Sequence, residues 1–300
     1  MEITLLGTGC MVPTKDRNAS GIYIEIEGKG ILFDCGEGTQ RQMSIAGIPR
    51  TKIKYIFISH WHADHTAGLL GLIQTIGSST EDPNLEIFGP TGTKEMFRNL
   101  MNACVFENRM NIKVHEFNCP KEKTIFKNEL FSVKSINLNH SVPCIGFKII
   151  EADKRKLKLK KIEELGVPAG PLRAILQKGK DIEYNSKIIK SNEVTNLKKG
   201  KIFTYIADTG MTSNAIKLAN ESDLILSEST FTKQHQEKAE SFLHLTSEEA
   251  AQIASLSNSE RLILTHFSQR YKTYDVHLEE ARDIFPNTEI GFDFMKIKLK

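Results

Sequence analysis

Residues 60–65 read His-Trp-His-Ala-Asp-His and point to the fold, because they place four metal-capable side chains within six residues. They come directly after KYIFIS, a short apolar run with the length and composition of a buried strand. At a strand end His60 and His62 point the same way, and a turn after them lets Asp64 and His65 face the same pocket. A single catalytic zinc uses three protein ligands and a water. This cluster, with further His and Asp residues elsewhere, therefore indicates a two-metal site.

The alternative for these side chains is a set of solvated turn histidines or a buried histidine pair satisfied by hydrogen bonds. That interpretation is reasonable for one histidine. Burying three imidazoles and a carboxylate after an apolar strand, without a metal, would leave several polar groups to satisfy at a high cost in free energy. A metal removes that cost, so the sequence favours a metal site.

The composition is that of an ordinary soluble globular protein. The chain has 300 residues, of which 40% are hydrophobic and 26% charged. Its length suits one α/β domain, residues 1–300, that carries an insertion. No apolar stretch approaches the roughly 18 residues of a membrane span, and the N-terminus lacks the basic start of a signal peptide. We therefore expect a cytoplasmic protein with no membrane partner.

The cysteines are odd in number and have no CxxC spacing, which argues against a disulfide framework and against a cysteine zinc site. We predict five reduced thiols without a role: Cys10, Cys35, Cys104, Cys119 and Cys144.

Several apolar, strand-like runs end in a potential metal ligand, and these ends predict a sheet edge that assembles a site. Helical patterns separate the runs, at 66–76, 91–101 and 246–254, the last opened by a predicted capping box. Sheets covered by helices are therefore favoured over an all-parallel Rossmann fold. The residues at the run ends are Asp34, His140, Asp208 and His266.

The ordered set of ligands resembles the metallo-β-lactamase superfamily, and within it the chain resembles ribonuclease Z over nearly its full length. The resemblance implies an α/β fold, an αββα sandwich with an inserted protruding arm. Each supporting segment is weak alone, and their order makes the match specific. The segments are LLGTG (5–9), PTKDRN (13–18), DCGEGTQ (34–40), NHSVP (139–143), ADTG (207–210) and HFSQRY (266–271).

The resemblance also implies roles for the predicted ligands in holding two zinc ions per subunit. Manganese, iron or cobalt are alternatives, since the same ligands accept them. Asp64 would in addition accept the proton of the attacking hydroxide, and Asp34 would either orient a ligand histidine or be a plain turn aspartate. The implied sets are His60, His62 and His140 for one ion, Asp64, His65 and His266 for the other, and Asp208 as the bridge.

The leaving 3′-oxygen needs a proton donor, and the resemblance assigns that role to His244, paired with Glu228. The chain departs from the family pattern at Ser227, where histidine is common, and at Leu245, where a small hydroxyl residue is frequent. The alternative for His244 is a neighbour of the helix cap at Thr246 with no role in chemistry. The remaining histidines, His115, His235 and His277, match no motif and are expected at the surface or in the core.

The positive charge is concentrated in one segment. Residues 148–200 hold 14 Lys or Arg against 7 Asp or Glu, a net charge of +7, although the whole chain carries only +3. Clustered Lys and Arg bind phosphate backbones largely independently of sequence, whereas the alternative is a merely solvated charged segment. The stretch GVPAGPL (166–172) resembles the Gly-Pro motif of the ribonuclease Z arm. We therefore predict a basic arm at residues 150–200 that binds transfer RNA through Gly170, Pro171, Lys158, Lys160 and Lys161.

The function that the resemblance implies is a zinc-dependent endoribonuclease that removes the 3′ trailer of precursor tRNA. The tRNA would keep a 3′-hydroxyl and the trailer a 5′-phosphate, and the family's use of the arm implies a homodimer. One alternative is another hydrolase of the same fold, a small-molecule phosphodiesterase or an arylsulfatase-like enzyme. The other is a nucleic-acid-binding module with a structural metal, which is disfavoured because seven candidate ligands exceed one tetrahedral site.

Overall fold

A computed structural model describes residues 1–79, 81 and 84–300. Within them two large sheets of seven strands each form the centre of the molecule. The first sheet has the order β18-β1-β2-β3-β4-β5-β6, and its strands from β3 to β6 run parallel. Its strands are β1 Glu2–Gly7, β2 Gly21–Ile26, β3 Lys29–Phe33, β4 Ile53–Phe57, β5 Asn84–Pro90, β6 Asn111–Phe117 and β18 Lys296–Lys298.

The second sheet has the order β17-β16-β15-β14-β9-β8-β7 and contains a parallel block from β14 to β17. Since parallel strands end at the same edge, each sheet presents a row of carboxyl ends from which side chains can meet. Its strands are β7 Lys123–Lys127, β8 Phe131–Asn137, β9 Ile145–Glu151, β14 Ile202–Ile206, β15 Leu224–Glu228, β16 Leu262–Thr265 and β17 Thr288–Ile290.

Aromatic side chains join the two sheets face to face. Phe33 of the first sheet lies 5.1 Å from Phe57 beside it and 5.2 Å from Phe147 of the second sheet, measured between ring centroids. All three rings are fully buried. Apolar burial of this kind contributes about 25 cal/mol per Å² and is the main force that holds the layers together.

Helices cover the outer face of each sheet, which confirms the predicted αββα sandwich. A second apolar cluster packs Leu72 and Ile76 against Leu32 and Ile56 of the first sheet. The helices on that side are α1 Thr39–Ile45, α2 Ala63–Thr66, α3 Leu69–Ser79 and α4 Thr93–Met101, and those following β14 are α8 Ser213–Ala219, α9 Gln236–Phe242, α10 Ser247–Leu256 and α11 Asp275–Ile284. None of the described helices combines the length and apolar character needed to cross a bilayer.

Two local predictions can be compared with the helices directly. The capping box is confirmed, because the Thr246 hydroxyl accepts from the Glu249 backbone N–H and the Glu249 carboxylate accepts from the Thr246 N–H. The helix predicted from residue 66 instead begins at Leu69. Gly68 precedes it, where a Cβ would lie only 2.2 Å from the backbone oxygen of Gly36, so the close approach of two loops sets this start.

The segment between β9 and β14 folds on itself. Two strand pairs and three short helices surround a small apolar cluster of Ile162, Val167 and Leu176. Gly170 adopts a φ of 122°, a conformation that glycine can adopt without strain. Pro171 begins the next helix, where the first N–H has no partner within the helix and its absence costs nothing. The elements are β10 Lys154–Leu157 paired with β13 Thr195–Lys198, β11 Ile182–Tyr184 paired with β12 Lys187–Ile189, α5 Leu159–Glu164, α6 Pro171–Gln177 and α7 Ser191–Val194.

Candidate active site

The predicted ligands meet at the edge where the carboxyl ends of both sheets converge. His60 follows β4, His140 follows β8, Asp208 follows β14 and His266 follows β16. They come from positions up to 206 residues apart in the chain. The two sheets therefore bring together in space residues that lie in separate sequence motifs.

Three histidines form a first group. The Nε2 atom of His60 lies 3.0 Å from Nδ1 of His62, and Nε2 of His140 lies 3.3 Å from the same atom. Their ligand atoms all lie within 4.8 Å of one another. Ring nitrogens that converge so closely on one point have the arrangement of ligands around a cation.

A second group lies beside the first and combines histidine with carboxylate. The Nε2 atoms of His65 and His266 are 3.3 Å apart, and they lie 3.5 Å and 3.4 Å from Oδ2 of Asp64. Both histidines are almost completely buried.

Asp208 lies between the two groups. Its Oδ1 is 3.4 Å from Nε2 of both His65 and His266, and its Oδ2 is 3.7 Å from Nε2 of His60. Among the described residues this buried Oδ1 has no hydrogen-bond partner. A buried carboxylate oxygen without a donor is costly, and a cation would satisfy it. The residues present therefore fit two divalent cations that share Asp208.

In four of the ligand histidines the Nδ1 atom has a hydrogen-bond partner, which leaves the Nε2 atom facing the two ligand groups. Such contacts fix the ring orientation and the tautomer of metal-binding histidines. The Nδ1 partners are Ser59 Oγ for His60 at 3.0 Å, Asp34 Oδ2 for His65 at 2.8 Å, the Leu243 carbonyl oxygen for His140 at 3.1 Å and Thr230 Oγ1 for His266 at 3.0 Å.

Asp34 is a densely hydrogen-bonded partner among these. Its fully buried carboxylate accepts from the Ser59 N–H at 2.7 Å, the Ser59 hydroxyl at 2.8 Å and the Tyr205 hydroxyl at 2.8 Å, besides contacting His65. Of the two roles open for Asp34 in the sequence, this geometry fits the orienting one.

Burial and neighbouring charges shift the pKa values of the site histidines in different directions. Burial lowers the pKa of His60 well below its ordinary value, and the neighbouring His65 lowers it further. Burial also opposes the charged form of His65 and His266, but Asp208 foremost outweighs it and raises the pKa of both, with Asp34 and Asp64 adding to it at His65 and Cys10 and Asp64 at His266. Burial likewise disfavours the charged form of Asp208, yet the facing histidines hold its pKa well below the usual range. The edge thus stabilises a carboxylate anion beside closely packed imidazoles.

His244 and Glu228 form a hydrogen-bonded pair at the rim. Nδ1 of His244 lies 2.9 Å from Oε1 of the buried Glu228, which also accepts from the Thr209 N–H at 2.8 Å. Burial lowers the pKa of His244, but Glu228 outweighs it and raises the pKa to about 9. A protonated imidazole of this kind can donate a proton at neutral pH.

Five of the predicted residues line a cleft of about 850 Å³: His62, Asp64, His140, Asp208 and His244. Sequence reasoning missed the apolar and cationic part of its wall: Met11 and Phe242 are 73% and 59% exposed, and the Arg270 guanidinium lies 5.3 Å from the Phe231 ring centroid. Of these residues only Arg270 could have been found from the sequence, because it belongs to the HFSQRY motif.

Sequence reasoning also set aside Cys10, which the structure brings to this edge. Its sulfur and the ligand atoms of Asp64 and His266 all lie within 4.8 Å of one another. No spacing could have indicated this, because 54 residues separate Cys10 from Asp64. The other prediction for the thiols holds, since all five are free.

The predicted arm residues lie outside the cleft. Lys158 donates to the Glu193 carbonyl at 3.1 Å, while Lys160 and Lys161 are exposed on α5. Gly170 and Pro171 lie at the start of α6.

Comparison with known proteins finds similarity over the whole length of the chain. The chain is 38% identical to the ribonuclease Z of Methanothermobacter thermautotrophicus, covering 100% of this chain and 97% of that one, and 38% identical to the ribonuclease Z of Enterococcus faecalis with the same coverage. The solved structure of human tRNase Z, short form, superposes with a TM-score of 0.74 at 29% identity and covers both chains completely.

Two further matches extend the comparison within the same fold. The metallo-β-lactamase fold protein YhfI of Bacillus subtilis has a TM-score of 0.72 at 19% identity, covering 99% of this chain and 98% of that one, which shows the shared fold. A family model described as anti-Pycsar protein Apyc1 matches residues 1–158. Full-length identity above one third with proteins named ribonuclease Z confirms the narrower resemblance, and the chain belongs to the ribonuclease Z family, the metal-dependent endoribonucleases of the metallo-β-lactamase superfamily.

Proposed function

We propose that the protein is a zinc-dependent endonuclease that removes the 3′ trailer from precursor tRNA, leaving a 3′-hydroxyl on the tRNA and a 5′-phosphate on the trailer. The observation that carries the proposal is the pair of ligand groups joined by Asp208 and flanked by the His244–Glu228 pair. Its support is the full-length similarity to proteins named ribonuclease Z and tRNase Z.

The ligand roles follow the two groups. His60, His62 and His140 would hold one ion, Asp64, His65 and His266 would hold the other, and Asp208 lies close enough to both groups to serve both ions. When bound, two zinc ions would supply activation of a water nucleophile and neutralisation of charge on the phosphate. Zinc is proposed over manganese because imidazole dominates both groups, although availability also decides occupancy.

The chain's own residues supply positioning and proton transfer. Asp64 accepts the proton of the attacking nucleophile, and the Met11 N–H holds its Oδ2 at 2.8 Å. His244 gives its proton to the leaving 3′-oxygen, while Glu228 fixes the ring and stabilises the charged form. The cleft wall of Phe231, Phe242 and Arg270 offers an aromatic and cationic surface to an unpaired RNA strand.

The segment from 150 to 200 is proposed to be the tRNA-binding arm of a single domain, residues 1–300. Its support is the charge of residues 148–200, +7 in a chain of net charge +3, and the exposure of Lys160 and Lys161. Exposed lysines bind an RNA backbone without reading its sequence. Lys158, Gly170 and Pro171 complete the proposed contact surface.

The same family resemblance supports a homodimer in which the arm of one subunit holds substrate for the cleft of the other. Light scattering of the purified protein measures this directly: a particle of twice the 33.8 kDa chain mass is expected. A monomer that cleaves at full rate would contradict the dimer.

The experiment that tests the function uses a 3′-extended tRNA, the purified full-length chain and defined metals, with both product ends mapped. Cleavage just after the discriminator base, with the expected end groups, is the predicted result. His244→Ala should slow cleavage about 10²- to 10⁴-fold without removing metal.

Deletion of residues 150–200 separates this function from its alternative. Loss of precursor cleavage with retained hydrolysis of a small chromogenic phosphodiester is expected, because a small substrate does not need the arm. Equal loss on both substrates would make the arm merely structural. Rapid small-substrate hydrolysis without any tRNA cleavage by the full chain would favour the small-molecule phosphodiesterase or arylsulfatase-like hydrolase.

A further inference from the structure

Cys10 is fixed beside a predicted ligand by backbone hydrogen bonds. The Cys10 N–H donates to the Phe267 carbonyl at 3.0 Å, and the Phe267 N–H donates to the Thr8 carbonyl at 3.0 Å. Phe267 directly follows His266 in the chain. The loop after β1 is therefore locked in register against the end of β16, and the thiol has a defined position next to the His266 ring.

The position of the thiol is that of a ligand. Its sulfur forms a group with Asp64 and His266 in which every pair of ligand atoms lies within 4.8 Å. The next residue in the loop, Met11, adopts a φ of 59° and directs its N–H to Asp64 Oδ2 at 2.8 Å. A left-handed conformation is uncommon for a non-glycine residue, so the loop accepts strain where it meets the site.

A second observation points to a cation at the same place. Asp208 is 3% exposed, and its Oδ1 has no hydrogen-bond partner among the described residues. This oxygen is 3.4 Å from Nε2 of His266, the same side chain that Cys10 approaches. The unsatisfied oxygen and the thiol therefore both approach the His266 side chain, and a divalent ion held beside it would satisfy the oxygen.

We propose that Cys10 is a further metal ligand, a thiolate to the ion held by Asp64, His65 and His266. On coordination the S–H proton is released to solvent and a sulfur–metal bond forms, with no change of oxidation state. The two metal positions of the site then differ in kind: one has histidines with a bridging carboxylate, and the other adds sulfur. Sulfur shifts the second position toward zinc or cadmium and away from manganese.

The test exploits the spectroscopic signature of sulfur bound to cobalt. The inference rests on the two-metal site proposed above, so metal content is counted separately in each sample. Full-length protein loaded with two Co²⁺ ions should show a thiolate-to-cobalt charge-transfer band in the near ultraviolet. Cys10→Ser, which keeps the shape of the side chain, should still bind cobalt and lose that band. The exposed Cys104 gives the control, and Cys104→Ser should keep the band.

Metal competition gives a second readout that does not use absorption. The preference for Cd²⁺ over Mn²⁺, measured by equilibrium competition, should fall by at least about tenfold in Cys10→Ser and stay unchanged in Cys104→Ser. Two bound cobalt ions with no thiolate band in the native protein, or a band that survives Cys10→Ser, would overturn the Cys10 assignment alone. A folded chain that binds no metal would overturn the two-metal site as well.

Discussion

The cleft and the segment at residues 150–200 are built in opposite ways. In the cleft the predicted ligands are mostly buried, and four of their rings are fixed through the outer nitrogen by a named partner. In the segment most lysines are exposed, and two short strand pairs with a small apolar cluster hold the fold. The difference follows from what each must do. A reacting phosphate needs ligands placed within a few tenths of an ångström, whereas an RNA backbone needs only charge at the right distance.

The contrast predicts that changing a single functional group in the cleft eliminates activity, whereas RNA binding by the arm is lost only when several side chains are changed together. Removing a carboxylate from the cleft should eliminate activity, and removing a single charge from the arm should be tolerated. Exposed charges are screened by salt and cost little to lose, whereas a buried anion among imidazoles is strongly coupled to its neighbours.

The largest expected effect is that of Asp208→Asn. The amide keeps the shape of the side chain but removes the charge that faces both histidine groups, so metal binding and cleavage should each fall by more than about a hundredfold. Metal content by mass spectrometry and single-turnover rates on precursor tRNA measure the two effects. Asp153→Asn, in the arm segment, is the matched control and should leave both unchanged. If Asp208→Asn still binds two metal ions, the predicted difference between the cleft and the arm is wrong.

Asp34→Asn should have the second largest effect, although Asp34 is not a predicted ligand. An amide accepts through one oxygen only, so it cannot satisfy the Ser59, Tyr205 and His65 donors that meet on this carboxylate. His65 then loses its fixed orientation, and metal affinity should fall about 10- to 100-fold. Titration of the apoprotein with zinc measures this affinity. Unchanged affinity would show that the ligand geometry survives without its outer support.

Replacing Lys158, Lys160 and Lys161 together by Ala tests the arm, with a smaller expected effect. KM for precursor tRNA should rise about tenfold, hydrolysis of a small phosphodiester should be unaffected, and the slope of log affinity against log salt should fall by about 2 to 3. The control replaces three exposed lysines of the body, Lys94, Lys121 and Lys127, which removes the same charge. An equal rise in KM for the control would mean that net charge, and not the arm, binds the RNA.

The sequence was informative where chemistry is concentrated in short motifs. The HxHxDH stretch and the strands that end in His140, Asp208 and His266 predicted the sheet edge, because ligands must follow strands to converge. The capping box at Thr246 was predictable from its local motif, whereas the αββα fold followed from the resemblance to the metallo-β-lactamase superfamily.

Apart from Asp34, the hydrogen-bond partners of the ligand histidines were not predictable, for a physical reason. The hydroxyl of Thr230 and the carbonyl of Leu243 are groups that occur throughout any chain, and only folding selects which of them meets a histidine. Cys10 is a similar case, since hydrogen bonds to Phe267 bring it to the site. The same limit applies to His277, which the sequence assigned only to the surface or the core.

His277 differs from the other buried histidines because its ring nitrogens make no hydrogen bonds within the described chain. A substitution there is expected to have the smallest effect on catalysis. Its ring is fully buried among Phe267, Tyr271 and Tyr274, and neither ring nitrogen has a hydrogen-bond partner within the described chain. Burial foremost, with the Arg17 charge adding to it, lowers the pKa of His277 from 6.5 to about 4. The folded protein thus holds His277 neutral over a pH range in which the unfolded chain binds a proton.

Because the unfolded state binds more protons between pH 6.5 and pH 4, this site makes the free energy of unfolding fall as the pH drops, by up to about 3 kcal/mol from pH 7 to pH 4. His277→Phe keeps an aromatic ring in the cluster and removes the unsatisfied nitrogens, so it should stabilise the protein by about 1 kcal/mol at pH 7 and flatten the pH dependence. Urea unfolding across this pH range measures both effects, and precursor cleavage at pH 7 should be unchanged. If the variant keeps the full pH dependence of the native chain, the acid sensitivity arises elsewhere in the body.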